Sequence, residues 1–228
     1  MSKNKQKKSK KEFTPLEKWF RFLNRAEKVV RIFLPHRLHF AQPREEYGDG
    51  AYIFVGNHYR VWDVIYPVIC FPNRPVHFMA KQELWEGSKF MHWFVIKSEC
   101  IPVSRDGSST DVKAIMQAMR YVKNGELVNI FPEGTRNKDN VDMLPFKGGS
   151  AAISIKTKTP ILPFMQIGKA KLFRKSDILY GKPIEFTEYY GKRLTEEDIE
   201  KCEQQLRDTM LKMREDFLAE KQAKKNKK

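Results

Sequence analysis

The sequence predicts an α/β fold: a layered sheet, mostly parallel and mixed at its edge, flanked by helices and preceded by an N-terminal amphipathic membrane-interface helix. From residue 51 onward, short apolar runs typical of buried strands alternate with segments of helical periodicity. This alternation is typical of helices layered over a parallel sheet. Three of the apolar runs are followed by polar clusters, and ligand sites in such sheets lie beyond the carboxyl ends of the strands.

The first predicted element is an amphipathic helix in "TPLEKWFRFLNRAEKVVRIFLP". Thr14 and Glu17 form a capping box around Pro15, and Pro35 ends the helix. Aromatic and aliphatic residues occupy about half of the helical wheel, and lysines and arginines occupy the other half. The helix could pack on its own domain or lie in a membrane interface. Its nearly all-basic polar face favours the membrane interface.

The formal net charge of +15 is concentrated near the chain ends. Residues 1–11 contain six lysines and residues 221–228 contain five, without an acidic residue in either segment, whereas residues 45–220 are neutral overall. A nucleic-acid-binding domain more often carries its basic patch on the folded body, so nucleic acid is not the expected partner. The basic tails could be solvated and disordered, or they could be attracted to an anionic phospholipid surface, which is the partner expected here. We therefore predict a basic tail and membrane-binding helix in 1–44, a folded domain in 45–220 and a basic tail in 221–228.

The remaining elements follow in alternation. Strands are predicted in "AYIFV", "VHFMA", "CIPVS", "LVNIF" and "PILPFMQI", with two more in "KLFRKSDILYGKPIEF". Helices are predicted in 58–71, 88–97, 109–125 and 148–157. The first is bent or ended near Pro67, and the third is capped by Thr110 or Asp111. A long final helix begins at Thr195.

Composition narrows the class of protein further. Three isolated cysteines favour a reducing compartment, and the scattered histidines lack the spacing of a zinc site, so no metal is expected. No run is long and apolar enough to span a bilayer, and no signal peptide is recognisable. We expect a peripheral or monotopic protein on the cytoplasmic face of a membrane.

His58 and Asp63 follow the first buried strand of the domain, in "GNHYRVWD". In a regular helix, residues five apart point about 140° away from each other, so the two would not meet. If His58 lies in the turn before the helix, its ring can fold back over the helix start. Asp63 would then fix the tautomer and leave one ring nitrogen free to act as a base.

Cations and glycines follow the other strand ends. In "FPEGTRN", Gly134 allows close approach of a ligand, Thr135 offers a hydroxyl and Arg136 a forked donor, although a surface turn is the simpler interpretation. Lys147 precedes a predicted helix N-terminus, and Arg105 lies in "VSRDG". One base, several cations and no clear protein nucleophile suit direct transfer to the hydroxyl of a phosphate-bearing substrate.

These motifs resemble those of the glycerolipid acyltransferases, in particular the 1-acylglycerol-3-phosphate O-acyltransferases. The His-x4-Asp motif matches Asn57, His58 and Asp63, and "IPVSRDG", "FPEGTR" and "PILPF" are similar to the three further motifs in the family's order. "FMAKQEL" also resembles a family segment. The resemblance covers about residues 50–167 and identifies residues 45–220 as an acyltransferase domain.

The resemblance implies that His58, oriented by Asp63, is the general base on the free hydroxyl of lysophosphatidic acid. The hydroxyl would attack an acyl thioester, supplied by acyl-CoA or acyl carrier protein, and give phosphatidic acid without a cofactor. The implied phosphate ligands are Lys81, Arg105, Arg136 and Lys147, and the implied pocket-shaping residues are Asn57, Glu133, Gly134, Thr135 and, near the acyl-chain pocket, Pro163.

The chain departs from the family pattern at Arg60 and Asn137, two positions where the family often has serine. Arg60 stands two residues after His58, so it affects the expected acceptor contacts most. Acylation of another lysophospholipid or of glycerol 3-phosphate therefore stays an alternative. A second alternative is a non-catalytic lipid-binding protein on the same scaffold, although such a protein has no need of a base beside a carboxylate.

Overall fold

The structure of the protein is a computed structural model that describes residues 12–104, 109–137, 143–147 and 149–227. Within these ranges, seven strands form one sheet in the order β1-β7-β6-β2-β5-β3-β4. The five strands from β6 to β4 are parallel, β6 pairs with β7 antiparallel, and β1 pairs with β7 parallel. The α/β prediction and the mostly parallel, mixed sheet are confirmed.

The strands are β1 (His36–Phe40), β2 (Tyr52–Gly56), β3 (Val76–Lys81), β4 (Ile101–Val103), β5 (Leu127–Ile130), β6 (Ile161–Ile167) and β7 (Ser176–Tyr180). The helices are α1 (Pro15–Phe33), α2 (Ile65–Cys70), α3 (Lys89–Lys97), α4 (Ser109–Lys123), α5 (Ser150–Thr157) and α6 (Glu196–Asn226). A 3₁₀ turn, Val61–Val64, precedes α2.

Two hydrophobic cores lie on opposite faces of the sheet. Helices α1, α2 and α3 cover one face, where Phe20, Phe54 and Phe164 are fully buried. Helices α4, α5 and α6 cover the other face, where Ile153, Leu206 and Met210 are fully buried. Because every central strand is covered on both sides, its residues are apolar in succession rather than in alternation. Since both faces of the sheet are covered, a ligand site is expected beyond the carboxyl ends of the parallel strands.

Helix α1 begins with the predicted capping box, in which Thr14 and Glu17 bond to each other's backbone amides. One side packs on the domain: Trp19 is 7% exposed, and its Nε1 donates to Ser98 Oγ at 2.9 Å. Phe22, which stacks on Trp19, and Ile32 are exposed. The helix therefore packs on its own domain, and its exposed apolar side chains leave contact with a membrane interface as a prediction.

Strand β1 was not predicted. The basic composition of "HRLHF" is typical of a solvated segment, and these residues were included in the predicted membrane-binding segment 1–44. Instead His36 is buried with its Nε2 3.0 Å from Glu27 of α1. His39 lies 2.9 Å from Asp177 of β7. Carboxylates supplied by distant parts of the chain allow these polar side chains to enter the sheet.

Three other expectations need correction. Pro67 neither bends nor ends a helix, because it lies in the first turn of α2, where amides lack intrahelical partners and proline is tolerated. Residues 171–186 form one strand rather than two, since after β7 only Ile184 makes a single bridge, to Ile161. Helix α4 begins at Ser109, so Thr110 and Asp111 lie inside its first turn rather than at its cap.

Helix α6 begins after the predicted Thr195 cap and continues through most of the C-terminal lysine segment. Its stripe of Cys202, Leu206 and Met210 is buried, as predicted. Near its end, Lys221 Nζ lies 2.7 Å from Asp177. Of the helices in the described part of the chain, none has the length and hydropathy needed to cross a bilayer.

Candidate active site

The site begins where β2 ends, in the middle of the sheet. Gly56 is required there, because a Cβ atom at this position would lie 2.2 Å from Cζ of Phe164 on β6. The next residue, Asn57, is 2% exposed and bonds to the backbone of Gln166 in both directions, at 3.0 and 2.9 Å. This exchange fastens the end of β2 to β6. It fixes the point at which the chain turns to present His58.

His58 and Asp63 meet as the sequence predicted. The 3₁₀ turn, rather than a regular helix, carries Asp63, so its carboxylate reaches back to His58 Nδ1 at 3.1 Å. The same oxygen accepts from the backbone amides of Tyr59 and Arg60, both at 2.6 Å. Asp63 is 1% exposed, whereas the His58 side chain is 18% exposed. Three donors on a buried carboxylate oxygen hold it in position, and the ring stays accessible.

Glu133 supports the backbone of the same turn from β5. One carboxylate oxygen accepts from the His58 amide at 3.0 Å, and the other accepts from the Leu144 amide at 3.0 Å. Asn137 donates its own amide to the His58 carbonyl at 2.7 Å and its Nδ2 to Glu133 at 3.5 Å. Burial raises the pKa of Glu133, and these donors oppose the increase. Glu133 is therefore a support beneath the turn rather than a group exposed to substrate.

Phe131 fixes the plane of the imidazole. The two rings stack with centroids 4.1 Å apart and an angle of 14° between their planes. Phe131 in turn meets Phe164 edge-on at 6.1 Å. One face of the His58 ring is thus covered, and its free edge is the part open to a substrate. The sequence does not reveal this contact, since Phe131 reads as the last residue of a buried strand.

The predicted cations lie on one side of His58. Strands β5 and β3 follow β2 in the sheet, and they carry Arg136 and Lys81 beyond their ends, both exposed. Lys147 covers Gly134: a Cβ atom on Gly134 would lie 3.2 Å from Lys147 Cδ and 3.8 Å from its Nζ. Gly134 also has φ 64°, a conformation that favours glycine. Arg105 falls outside the described residues.

The last two predicted residues, Thr135 and Pro163, differ in their exposure to solvent. Thr135 is exposed on the same turn as Arg136. Pro163 is buried inside β6, where it is the register partner of Val55, and its carbonyl accepts from the Gly181 amide at 2.8 Å. Pro163 therefore shapes the sheet below the site rather than the wall of an open pocket.

A cavity of about 550 Å³ lies on the other side of β2, beside the turn that follows His58. Its walls come from the C-terminal end of α1, from the turn that carries Asp63 and from the loop between β6 and β7. The lining is mostly apolar, with two cations: Val30, Phe33, Leu34, Arg60, Trp62, Ala170, Lys171 and Leu172. Arg60 thus lines a cavity, which the sequence pattern did not indicate.

Comparisons with known proteins agree with this geometry. A family model described as Acyltransferase matches residues 35–166. A 1-acyl-sn-glycerol-3-phosphate acyltransferase of Bacillus subtilis (strain 168) is 30% identical over 141 residues, which cover 60% of this chain and 68% of that protein. The Homo sapiens 1-acyl-sn-glycerol-3-phosphate acyltransferase alpha is 29% identical over 157 residues, which cover 66% of this chain and 55% of that protein.

A solved structure shows the same fold. The crystal structure of the 1-acyl-sn-glycerophosphate acyltransferase PlsC from Thermotoga maritima superposes with a TM-score of 0.61 at 22% sequence identity. The match covers 86% of this chain and 79% of that one. Since the family model covers more than half of the chain, the protein belongs to the acyltransferase family.

Proposed function

We propose that the protein transfers a fatty acyl group from an acyl thioester to the free hydroxyl of lysophosphatidic acid, giving phosphatidic acid. The observation that carries the proposal is the His58–Asp63 pair at the centre of the sheet edge, with cations beyond the neighbouring strand ends. The relatives' names, which specify 1-acyl-sn-glycerol-3-phosphate acyltransferases, support the choice of acceptor.

His58 acts as the general base. Asp63 accepts a hydrogen bond from the protonated Nδ1, so the lone pair on Nε2 is free to receive the proton of the acceptor hydroxyl. As that proton leaves, the hydroxyl oxygen attacks the thioester carbon and a tetrahedral intermediate forms. Its collapse expels the thiolate, which takes the proton back from Nε2. The negative charge of Asp63 stabilises the imidazolium between these two steps.

The acceptor phosphate binds among Lys81, Arg105, Arg136 and Lys147. The arrangement of Lys147 over Gly134 supports this assignment, because a side chain at position 134 would press on the lysine stem. Charge-assisted hydrogen bonds to a phosphate are about twice as strong as neutral ones, and a guanidinium can make two in parallel. Asn57, Glu133, Thr135 and Pro163 hold the surrounding backbone and take no part in proton transfer.

Membrane contact is made by the outer surface of α1 and α3, defined by the exposed residues Phe22, Val29, Ile32, Phe90, Trp93 and Ile96. The two helices join through Trp19, whose ring lies 5.0 Å from Trp93 and 5.5 Å from Phe22. Lysines and arginines border this surface and suit the phosphates of the cytoplasmic leaflet. The long-chain acceptor would reach the site from that leaflet.

The direct test is acyl transfer by the purified protein in mixed micelles. Lysophosphatidic acid, glycerol 3-phosphate and a zwitterionic lysophospholipid are each offered with acyl-CoA and with acyl carrier protein as donor. We expect turnover of lysophosphatidic acid with at least one donor. A protein that binds all three lipids but transfers to none would be a lipid-binding protein, and the proposal would be wrong.

The phosphate assignment is tested by Arg136→Ala. We expect KM for lysophosphatidic acid to rise at least about tenfold, since a hydrogen bond to a charged group contributes about 1.5–3 kcal/mol. Arg193→Ala removes another exposed guanidinium and serves as the control. If both variants have the KM of the unmodified protein, Arg136 does not bind the phosphate.

A further inference from the structure

The cavity beside Arg60 lies across His58 from the cations assigned to the phosphate. Strands β5 and β3, which carry Arg136 and Lys81, follow β2 on one side in the sheet. Strands β6 and β7, whose connecting loop forms part of the cavity wall, follow β2 on the other side. The cavity and the phosphate-binding cations therefore lie on opposite sides of β2, and His58 follows the end of that strand.

The acceptor has the same three-part layout. In lysophosphatidic acid the free hydroxyl lies on the central glycerol carbon, and the phosphate and the acyl ester lie on the two outer carbons. When the hydroxyl points at His58 and the phosphate toward Arg136, the ester is directed to the opposite side. The cavity of about 550 Å³ is on that side, and it falls within the range of about 300–1,000 Å³ typical of small-molecule sites.

The chemistry of the cavity suits an alkyl chain that enters from a lipid surface. Val30, Phe33 and Leu172 provide apolar walls. Leu172 is 61% exposed and Trp62 58% exposed, so the rim itself is apolar and open. The loop "GKAKLFRK" adds four cations and no acidic residue around this rim. Apolar residues beneath a belt of cations match the acyl layer beneath the phosphates of an anionic membrane.

The walls are held together, so the cavity is part of the fold. The Phe173 amide donates to the Phe33 carbonyl at 2.7 Å, which ties the loop to the end of α1. The two rings lie 6.0 Å apart. Arg60 belongs to the turn fixed by Asp63, since its amide bonds to that carboxylate. Among the described residues, no carboxylate forms an ion pair with Arg60 or Lys171.

We propose that this cavity binds the existing acyl chain of lysophosphatidic acid, with Arg60 and Lys171 at the level of the surrounding lipid phosphates. The proposal rests on the proposed function, because it places the acceptor hydroxyl at His58. It makes the cavity the feature that distinguishes lysophosphatidic acid from glycerol 3-phosphate, which has a phosphate but no chain. Arg60, the departure from the family pattern, then lines the chain subsite rather than the phosphate site.

The test is a chain-length series of lysophosphatidic acids, each kept below its micelle concentration, titrated calorimetrically into the full-length protein without donor. Affinity should rise about fourfold for each added methylene until the cavity is filled, since each buried methylene contributes about 0.8 kcal/mol. Val30→Trp, which fills the cavity, should abolish this rise while the affinity for glycerol 3-phosphate stays unchanged. Val112→Trp, at an exposed valine of α4, should keep it.

A second variant, Leu172→Asp, tests the proposal independently in case Val30→Trp does not fold. Leu172 is exposed at the rim, so Leu172→Asp should fold and should also weaken binding of long chains, whereas Leu218→Asp on α6 should not. An unchanged slope in both Val30→Trp and Leu172→Asp would overturn the proposal. It would also be overturned if Val30→Trp abolished the dependence of turnover on donor chain length and left the acceptor series intact. Chain-dependent binding without any turnover would instead refute the proposed function alone.

Discussion

Replacing Asp63 with asparagine removes a negative charge beside the His58 ring and keeps the shape of the side chain. The asparagine oxygen can still accept from the Tyr59 and Arg60 amides, which bond to the carboxylate at 2.6 Å. The turn should therefore persist. What changes is the electrostatic stabilisation of the ring once it carries the proton of the acceptor hydroxyl.

The size of the effect follows from the 3.1 Å distance between His58 Nδ1 and Asp63. At an effective dielectric constant of about 20, two unit charges at that separation attract by about 5 kcal/mol, or nearly four decades in rate. Solvent reduces this value, because the His58 side chain is 18% exposed. We expect kcat of Asp63→Asn to fall about 10²- to 10³-fold, within the usual range for loss of a positioned base.

The assay is acyl transfer to lysophosphatidic acid by purified protein, with circular dichroism melts to compare folding. Asp198→Asn is the matched control, since Asp198 is a carboxylate that caps α6 and lies apart from His58. We expect the control to keep its kcat. A folded Asp63→Asn variant with kcat within threefold of the unmodified protein would refute the electrostatic argument.

Three further outcomes are expected. Glu133→Gln should lower the free energy of unfolding in urea by about 1–3 kcal/mol. The carboxylate now accepts a hydrogen bond from the Leu144 amide, and the NH₂ group of glutamine would place a second donor there instead of an acceptor. Burial raises the pKa of Asp177, but hydrogen bonds from Lys221, Arg37 and His39 outweigh it and hold that pKa well below its usual range. The stability that Asp177 contributes is therefore present above about pH 4 and lost on further acidification, so the stability deficit of Asp177→Asn at pH 7 should shrink as the pH falls toward 3. Ile32→Glu should weaken sedimentation with anionic vesicles at least about tenfold, whereas Met116→Glu, equally exposed on the opposite face of the sheet, should not; equal binding would exclude α1 as the membrane contact.

Local patterns predicted most of the fold. The apolar runs of β2, β5 and β6 and the Thr14 and Thr195 caps depend on neighbouring residues, so they can be read from short windows. Strand β1 could not be predicted in this way, because its polar side chains pair with carboxylates outside the strand: His36 is buried against Glu27, and His39 bonds to Asp177. The order of the strands, which separates the cavity from the cations, is also a property of the whole sheet.

In the candidate site, too, contacts within one short segment were predictable and contacts between distant residues were not. The meeting of His58 and Asp63 was predictable, since both lie in one turn and the geometry of a strand-to-helix junction allows it. The stacking of Phe131 on His58 and the support from Glu133 join residues more than seventy positions apart, and no local pattern encodes them. The role of Arg60 as a cavity residue depends on three separate segments and became visible only in the structure.

The most direct test of the central claim is the turnover of His58→Ala with lysophosphatidic acid and its preferred thioester donor. The control is His92→Ala, which removes an exposed imidazole from α3. If His58 is the general base, kcat of a folded His58→Ala variant should fall about 10²- to 10⁴-fold, and that of His92→Ala should not change. Near-normal transfer by folded His58→Ala would contradict the account.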